Sequence, residues 1–187
     1  GVRMVAGLYV LILKERVFFF ADTTVNIDPT AEALADIAIL SAATAKLFDL
    51  VPRVAMISFS NFGSNRHPAA EKVREAVRIA RARRPDLEVD GEMQVDTAIL
   101  PEFLKEQYPW AERSGPANVL VFPDLQAANA AYKLVWRLAK AEAIGPILMG
   151  MDKPIHVLQR GVEVADIVNM AAFGVVDAQS RGGARRA

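Results

Sequence analysis

The stretch RVAMISFSNFGSNRHPAAEKVREAVRIARAR, residues 53–83, decides the fold class predicted for this chain. It begins with an apolar run that is typical of a buried strand. It ends with Pro68–Arg83, where apolar residues recur at helical spacing and proline occupies a tolerated position in the first turn. Between them lies a polar loop, Ser58–His67, which we call the serine loop. A strand, a loop and a helix in this order form the repeating unit of a parallel sheet covered by helices.

The flanking sequence repeats this unit after an opening hairpin. Two runs rich in branched and aromatic residues, Val5–Leu13 and Val17–Ala21, flank the charged break KER and predict that hairpin. The further predicted elements are a helix capped by Thr30 that runs to Asp49, a short strand Leu87–Val89, helical pieces Met93–Leu100 and Glu102–Gln107, a strand Asn118–Phe122, a helix Leu125–Lys140, the apolar run 143–150 and a helix Val164–Ala178. The sequence therefore predicts a three-layer α/β/α fold whose mainly parallel sheet starts with an N-terminal β-hairpin.

Composition narrows the classes of partner and site. The chain has 22 Lys and Arg against 22 Asp and Glu, so no overall attraction to nucleic acid or to an anionic membrane is expected. It has no cysteine and only two histidines, which excludes disulfides and gives no metal-site pattern. No apolar run is long enough to span a bilayer. We expect a cytoplasmic protein and, because the chain opens GVRMVAG, a segment of a longer polypeptide.

The serine loop is a candidate anion site because it leads into a helix. Free backbone N–H groups in a first helical turn can bind an anion, and Ser60 and Ser64 add short donors while Gly63 permits close approach. The alternative is that these side chains only cap the helix and satisfy the turn, and it is favoured when the loop is considered alone.

Two further pairs of residues carry candidate chemistry. Asn129 and Lys133 lie four residues apart on one helix face after a strand, where the lysine could neutralise a phosphate. Arg160 and Asp166 could clamp an anionic group and assist deprotonation of a thiol. The alternative for the first pair is that Lys133 is a solvated surface residue and Asn129 a hydrogen-bonded packing residue. The alternative for the second pair is an ion pair that caps a helix.

Six segments together resemble one family, the phosphate acetyl/butyryl transferases. They are FFFADTTVNIDPTAEALADIA, VAMISFSNFGSNRHP, DLEVDGEMQVDTAI, NVLVFPDLQAANAAYKL, EAIGPILMGMDKPIHVLQRG and ADIVNMAAFGVVDAQ, in order along the chain. The resemblance implies a fold of the isocitrate/isopropylmalate dehydrogenase type with two lobes and a cleft. It also implies that residues 1–179 are a partial domain lacking most of the N-terminal lobe, with a disordered basic tail at 180–187.

The resemblance also implies roles for individual residues. The serine-arginine-glycine motif of the family falls on Gln159, Arg160 and Gly161, and its later aspartate falls on Asp166. The aspartate is expected to act as base toward the thiol of coenzyme A and the arginine to bind substrate. In the family, the serine hydroxyl is expected to stabilise the developing oxyanion. In this chain, glutamine replaces that serine. The predicted ligand-binding residues are Thr24, Asn26, Ser60, Gly63, Ser64, Asn129, Lys133, Gly145, Pro146 and Gln159.

The sequences of the serine loop and of FADTTVNIDPT are similar to those of the C-terminal transacetylase-like domain of bacterial NADP-dependent malic enzymes. That similarity, with Gln159 in place of serine, leads us to expect a regulatory domain that binds acetyl-CoA or coenzyme A, forms homo-oligomers and performs no chemistry. Malate oxidation, NADP and a divalent metal would then belong to upstream malic enzyme domains. The alternative is an active phosphate acyltransferase that moves an acetyl group between coenzyme A and phosphate.

Overall fold

Strands and helices alternate along the computed structural model of the chain, which describes residues 4–14, 16–111 and 115–184. None of the helices in these residues is long and apolar enough to cross a membrane. The elements in chain order are β1 (Ala6–Leu13), β2 (Arg16–Ala21), α1 (Ala31–Lys46), β3 (Arg53–Ile57), α2 (Pro68–Arg83), β4 (Glu88–Met93), α3 (Val95–Ile99), α4 (Pro101–Gln107), β5 (Val119–Val121), α5 (Leu125–Leu138), β6 (Glu142–Met149) and α6 (Val164–Ala184).

The six strands form one sheet in the order β4-β3-β5-β2-β1-β6. The four strands β4, β3, β5 and β2 pair in parallel, whereas β1 is antiparallel to both of its neighbours. Because β2 and β6 are both antiparallel to β1, they run in the same direction as each other. Their carboxyl ends therefore lie at the same edge of the sheet as those of β3, β4 and β5. The predicted α/β fold with a mainly parallel sheet and an opening hairpin is confirmed.

Both faces of the sheet are buried, as the two-residue alternation of the hairpin strands requires. Leu8 and Val10 point into a core that is covered by α1 and α2, whereas Tyr9 and Leu11 point into a second core covered by α5. The final helix packs Phe173 against Phe48 in the first core, with ring centroids 5.3 Å apart. Tyr9 is therefore placed on the α5 side by strand alternation alone.

Several elements differ from the sequence prediction: α1 ends at Lys46 instead of Asp49, and α3 begins at Val95 because Met93 belongs to β4. Two further differences lie in β4 and in the final helix. The predicted strand Leu87–Val89 is observed as β4, which extends to Met93 because Asp90 and Glu92, two buried acidic residues, are paired with arginines of α2. The final helix was predicted to end at Ala178 before a basic tail, but it runs to Ala184. The Arg181 guanidinium binds the Asp177 carboxylate one turn earlier, which stabilises this extension. Residues 185–187 of the predicted tail lie outside the described residues.

Candidate functional site

The predicted site residues fall into three groups along the sheet, and the serine loop is the first. Its donors converge on the buried carboxylate of Glu92, which is 0% exposed. Glu92 Oε1 accepts a hydrogen bond from the Ser60 hydroxyl and one from the Gly63 N–H, both at 2.8 Å. The Arg74 guanidinium donates to both carboxylate oxygens at 3.0 Å. The Ser64 hydroxyl lies 3.2 Å from that of Ser60.

Glu92 thus occupies the position that an external anion would take. Burial by itself raises the pKa of the Glu92 carboxyl, but the hydrogen bonds from Arg74, Gly63 and Ser60 outweigh it and leave the pKa below its ordinary value. A carboxylate held in this way stays ionised at neutral pH. The geometry therefore favours the structural interpretation of the serine loop, in which its polar groups stabilise the loop itself.

The second group is the turn after β2, residues 22–27, which we call the threonine loop. The buried Asp22 carboxylate holds it together: Oδ1 accepts from the N–H groups of Gly7, Thr24 and Val25 at 2.8–3.0 Å. Oδ2 accepts from the Asn26 N–H at 2.9 Å. The Asn26 amide also donates to this oxygen, at 2.5 Å. The predicted ligand residues Thr24 and Asn26 are thus fixed in place by a carboxylate that sequence reasoning did not single out.

The N-terminal end of α5 packs against the threonine loop. The Asn129 side chain donates to the Thr23 carbonyl at 3.2 Å, and the Leu125 N–H donates to the Ile27 carbonyl at 3.1 Å. Asn129, a predicted ligand residue, therefore connects α5 to the threonine loop. Because the N-terminal end of α5 is fixed in this way, the next turn of α5, which carries Tyr132, is held over β1.

The third group surrounds two stacked tyrosines, Tyr9 of β1 and Tyr132 of α5. Their ring centroids are 4.2 Å apart and the planes differ by 9°, and the two residues are only 2% and 1% exposed. The Gln159 amide lies against this pair, with its nitrogen 3.5 Å from the Tyr132 hydroxyl, which is a long hydrogen bond. We call Tyr9, Tyr132, Gln159 and Asp166 the tyrosine site.

Asp166 belongs to the tyrosine site through its electrostatic effect on Tyr9. Burial raises the pKa of Tyr9 well above its usual value, and the neighbouring Tyr132 and the negative charge of Asp166 raise it further. Asp166 also starts α6, because its carboxylate accepts a hydrogen bond from the Glu163 N–H at 2.9 Å.

The other residues predicted for this region lie around the tyrosine site. Lys133 is exposed, and its ammonium group lies 5.9 Å from the centroid of the Tyr132 ring. Gly145 of β6 lies against the Tyr9 ring, and the buried Pro146 follows it. Arg160 is exposed, and within the described part of the chain it forms no ion pair with Asp166. The ion pair that the sequence suggested is thus replaced by a helix cap.

The tyrosine site brings together Gln159 and Asp166, seven residues apart in sequence, through two tyrosines from other elements. The sequence signals for the tyrosines were weak: Tyr132 lies beside Lys133 in the helix pattern, and Tyr9 is the one polar side chain in an apolar strand. Among the described residues, no group of three or more His, Asp or Glu is arranged to hold a metal ion.

Comparisons with known proteins place the chain in one family. The family model described as "Phosphate acetyl/butaryl transferase" matches residues 1–175. A phosphate acetyltransferase of Clostridium acetobutylicum is 50% identical over 96% of this chain, and one of Bacillus subtilis is 44% identical over 95%. The solved phosphotransacetylase of Streptococcus pyogenes is 43% identical, with a TM-score of 0.92 over 96% of this chain.

The chain spans about half the length of the relatives it matches. It covers 56% of the Clostridium acetobutylicum protein, 55% of the Bacillus subtilis protein and 55% of the Streptococcus pyogenes chain. These relatives correct one prediction. The expectation of a malic enzyme regulatory domain, with an NADP-dependent oxidoreductase as parent, is wrong, because relatives at this identity are phosphate acetyltransferases. The expectation relied on the residues of two loops and on Gln159 in place of serine, and the comparisons favour the acyltransferase alternative.

Proposed function

The chain belongs to the phosphate acetyl/butyryl transferase family, and we propose that it carries part of the active site of a phosphate acyltransferase that moves an acetyl group between coenzyme A and phosphate. The observation that carries this proposal is the tyrosine site, where the Gln159 amide contacts a buried tyrosine pair and the charge of Asp166 acts on Tyr9, with Arg160 next in sequence to Gln159. The names of the relatives support the reaction class.

The proposed chemistry gives each of these residues one role. Asp166 takes the proton from the thiol of coenzyme A, and the thiolate attacks the carbonyl carbon of acetyl phosphate. The new carbon–sulfur bond forms as the carbon–oxygen bond to phosphate breaks, and phosphate leaves as the anion. Arg160, exposed and always charged, binds that phosphate. The reverse reaction starts with phosphate and returns the proton to the thiol.

Gln159 is proposed to donate a hydrogen bond from its amide to the developing oxyanion. Donors that are fixed before the reaction stabilise such charge most effectively, because no reorganisation is needed as it develops. The amide fits this role chemically, since it has two N–H donors, and only one of them is needed for the contact with Tyr132. The replacement of serine by glutamine is therefore compatible with turnover.

The test is formation of acetyl-CoA from acetyl phosphate and coenzyme A by the full-length protein. We expect turnover of about 1 to 1000 per second, the ordinary enzymatic range. Calorimetry with coenzyme A is run in parallel. Binding of coenzyme A without turnover would overturn the proposed catalysis and leave a binding domain, whereas absence of both would overturn the site as well.

A further inference from the structure

The Tyr132 hydroxyl contacts one of the groups to which the proposed reaction assigns chemistry. Tyr132 contacts the Gln159 amide through its hydroxyl, and Tyr9, stacked on Tyr132, interacts electrostatically with Asp166. The four residues come from β1, α5, the segment after β6 and the first turn of α6. The tyrosine pair is thus in contact with Gln159, and the negative charge of Asp166 acts on its other member, Tyr9.

We propose that Tyr132, supported by Tyr9, is a positioning residue that fixes the Gln159 amide. This inference rests on the proposed function and deepens it by adding two residues that touch no substrate. Tyr132 acts through the contact of its hydroxyl group with Gln159, and Tyr9 supports Tyr132 by stacking on its ring.

Burial of two hydroxyl groups argues for such a role. A buried hydroxyl costs free energy unless it is hydrogen-bonded, and phenylalanine would fill the same volume without that cost. The chain uses phenylalanine at comparable core positions, such as Phe18 and Phe20 on the strand that pairs with β1. Tyrosine at positions 9 and 132 is therefore explained by its hydroxyl group and not by packing.

Protonation and charge separate positioning from acid–base catalysis. The environment of Tyr9 opposes its ionisation, because burial, Tyr132 and the Asp166 charge all disfavour the phenolate. Tyr9 stays a neutral phenol at any working pH of an enzyme. A neutral phenol that does not titrate can orient neighbouring groups, whereas proton transfer is left to Asp166.

The position of the pair is itself fixed by Gly145. A Cβ atom at this residue would lie 2.7 Å from Cδ1 of Tyr9 and 2.9 Å from the Leu8 carbonyl oxygen, which is closer than such contacts occur. A glycine at position 145 therefore leaves room for the Tyr9 ring, on which the Tyr132 ring stacks.

The first experiment compares Tyr132→Phe with Tyr108→Phe in the full-length protein. Tyr108 is a matched control because its ring packs against that of Phe62, tilted by 53°, in a separate aromatic cluster. For Tyr132→Phe we expect kcat to fall about fivefold to tenfold, the size expected for one hydrogen bond, with KM for coenzyme A within about twofold. Tyr108→Phe should leave both constants unchanged. Equal kcat in the two variants would overturn the inference.

A double-mutant cycle with Gln159→Ala separates positioning from a general structural role. If Tyr132 acts through Gln159, adding Tyr132→Phe to Gln159→Ala causes no further loss of kcat, whereas independent effects multiply. Multiplied losses would contradict the inference even in an active enzyme. The side-chain amide resonance of Gln159 in the nitrogen NMR spectrum gives a readout without turnover. This resonance should shift in Tyr132→Phe and not in Tyr108→Phe. Absence of activity in the wild-type protein would overturn the proposed function, whereas absence of the shift would overturn the contact between Tyr132 and Gln159.

Discussion

The serine loop and the tyrosine site both gather polar side chains around a carboxylate, but the carboxylates are used differently. In the serine loop, Glu92 is fully buried and receives hydrogen bonds from Ser60, Gly63 and Arg74. In the tyrosine site, Asp166 is partly exposed and accepts from the first turn of its own helix. The Glu92 carboxylate is engaged by hydrogen bonds within the fold, whereas the Asp166 carboxylate is partly exposed at the start of α6.

This difference shows that a polar loop is not made functional by its composition. The serine loop has the residues that suit an anion site, yet its N–H and hydroxyl groups already bind an internal anion. An external phosphate would have to displace a buried ion pair, which costs several kcal/mol. The tyrosine site is poorer in polar residues, but its amide and carboxylate are not enclosed by an ion pair of this kind.

The strongest test of the comparison removes the charge of Asp166. Asp166→Asn should lower kcat of acetyl transfer by about 10²-fold to 10⁴-fold, the range for loss of a general base. Asp86→Asn, at an exposed surface carboxylate paired with Arg84, is the matched control and should change kcat less than twofold. Activity of Asp166→Asn within threefold of wild type would show that the base lies elsewhere.

Removing Arg74 tests whether the serine loop is structural. Arg74→Met leaves the Glu92 carboxylate buried without its cation, so the free energy of unfolding should fall by about 3 kcal/mol. Arg78→Met on the same helix breaks an exposed pair with Glu75 and should cost less than about 1 kcal/mol. Urea unfolding measures both. A kcat per folded molecule that drops tenfold in Arg74→Met would assign chemistry to the serine loop instead.

Substitution of Gly145 tests the support of the tyrosine pair. Gly145→Ala places a methyl group against the Tyr9 ring and the Leu8 carbonyl, so we expect a loss of about 2 kcal/mol in stability from overpacking. The displaced ring should also lower kcat at temperatures where the protein stays folded. Gly115→Ala is the control, because its nearest neighbours are 3.5 Å or more away. Unchanged stability and kcat in Gly145→Ala would show that the Tyr9 ring can be accommodated in another position.

The smallest expected effect concerns His156, which holds the segment that carries Gln159. Its side chain is 7% exposed and lies 3.4 Å from Asp177, whose carboxylate also binds Arg181. Burial lowers the pKa of His156 below its ordinary value, and the attraction of Asp177 offsets this only in part. The unfolded chain therefore takes up a proton more readily than the folded one as the pH falls through the range of ordinary histidine. Stability should accordingly be fully present above that range and decrease below it.

The measurement for His156 is the difference in unfolding free energy between pH 7.5 and pH 5.5. His156→Gln should reduce this difference by about 1 kcal/mol. Val168→Ala on the exposed side of α6 is the control, because it removes no ionisable group and should leave the pH difference unchanged. An unaltered pH difference in His156→Gln would remove His156 from the account.

Much of the fold was predictable because its signals are local. The bounds of α2, Pro68–Arg83, agree with the structure, since proline at the start and helical spacing of apolar residues lie within the segment itself. The full length of β4 was not predictable, because Asp90 and Glu92 interrupt an apolar pattern. Their partners, Arg81 and Arg74, lie on another element.

The candidate site was predictable only where a motif identified it. Gln159 and Asp166 were found through a family resemblance, and their arrangement around a tyrosine pair was not. Tyr9 and Tyr132 are 123 positions apart by their residue numbers and meet only after β1 and α5 have packed. The role of Glu92 in the serine loop was hidden for the same reason, since 32 residues separate it from Ser60. Contacts of this range depend on the topology of the sheet and leave no periodic pattern.

The most direct test of the account compares one exposed arginine from each region. Arg160→Ala and Arg66→Ala remove the same charge, the first next to Gln159 and the second within the serine loop. The measurement is kcat/KM for acetyl phosphate in the full-length protein. The account predicts a loss of about 100-fold for Arg160→Ala and less than twofold for Arg66→Ala, because only Arg160 is proposed to bind the phosphate. A large loss in Arg66→Ala with little change in Arg160→Ala would contradict it and return the phosphate to the serine loop.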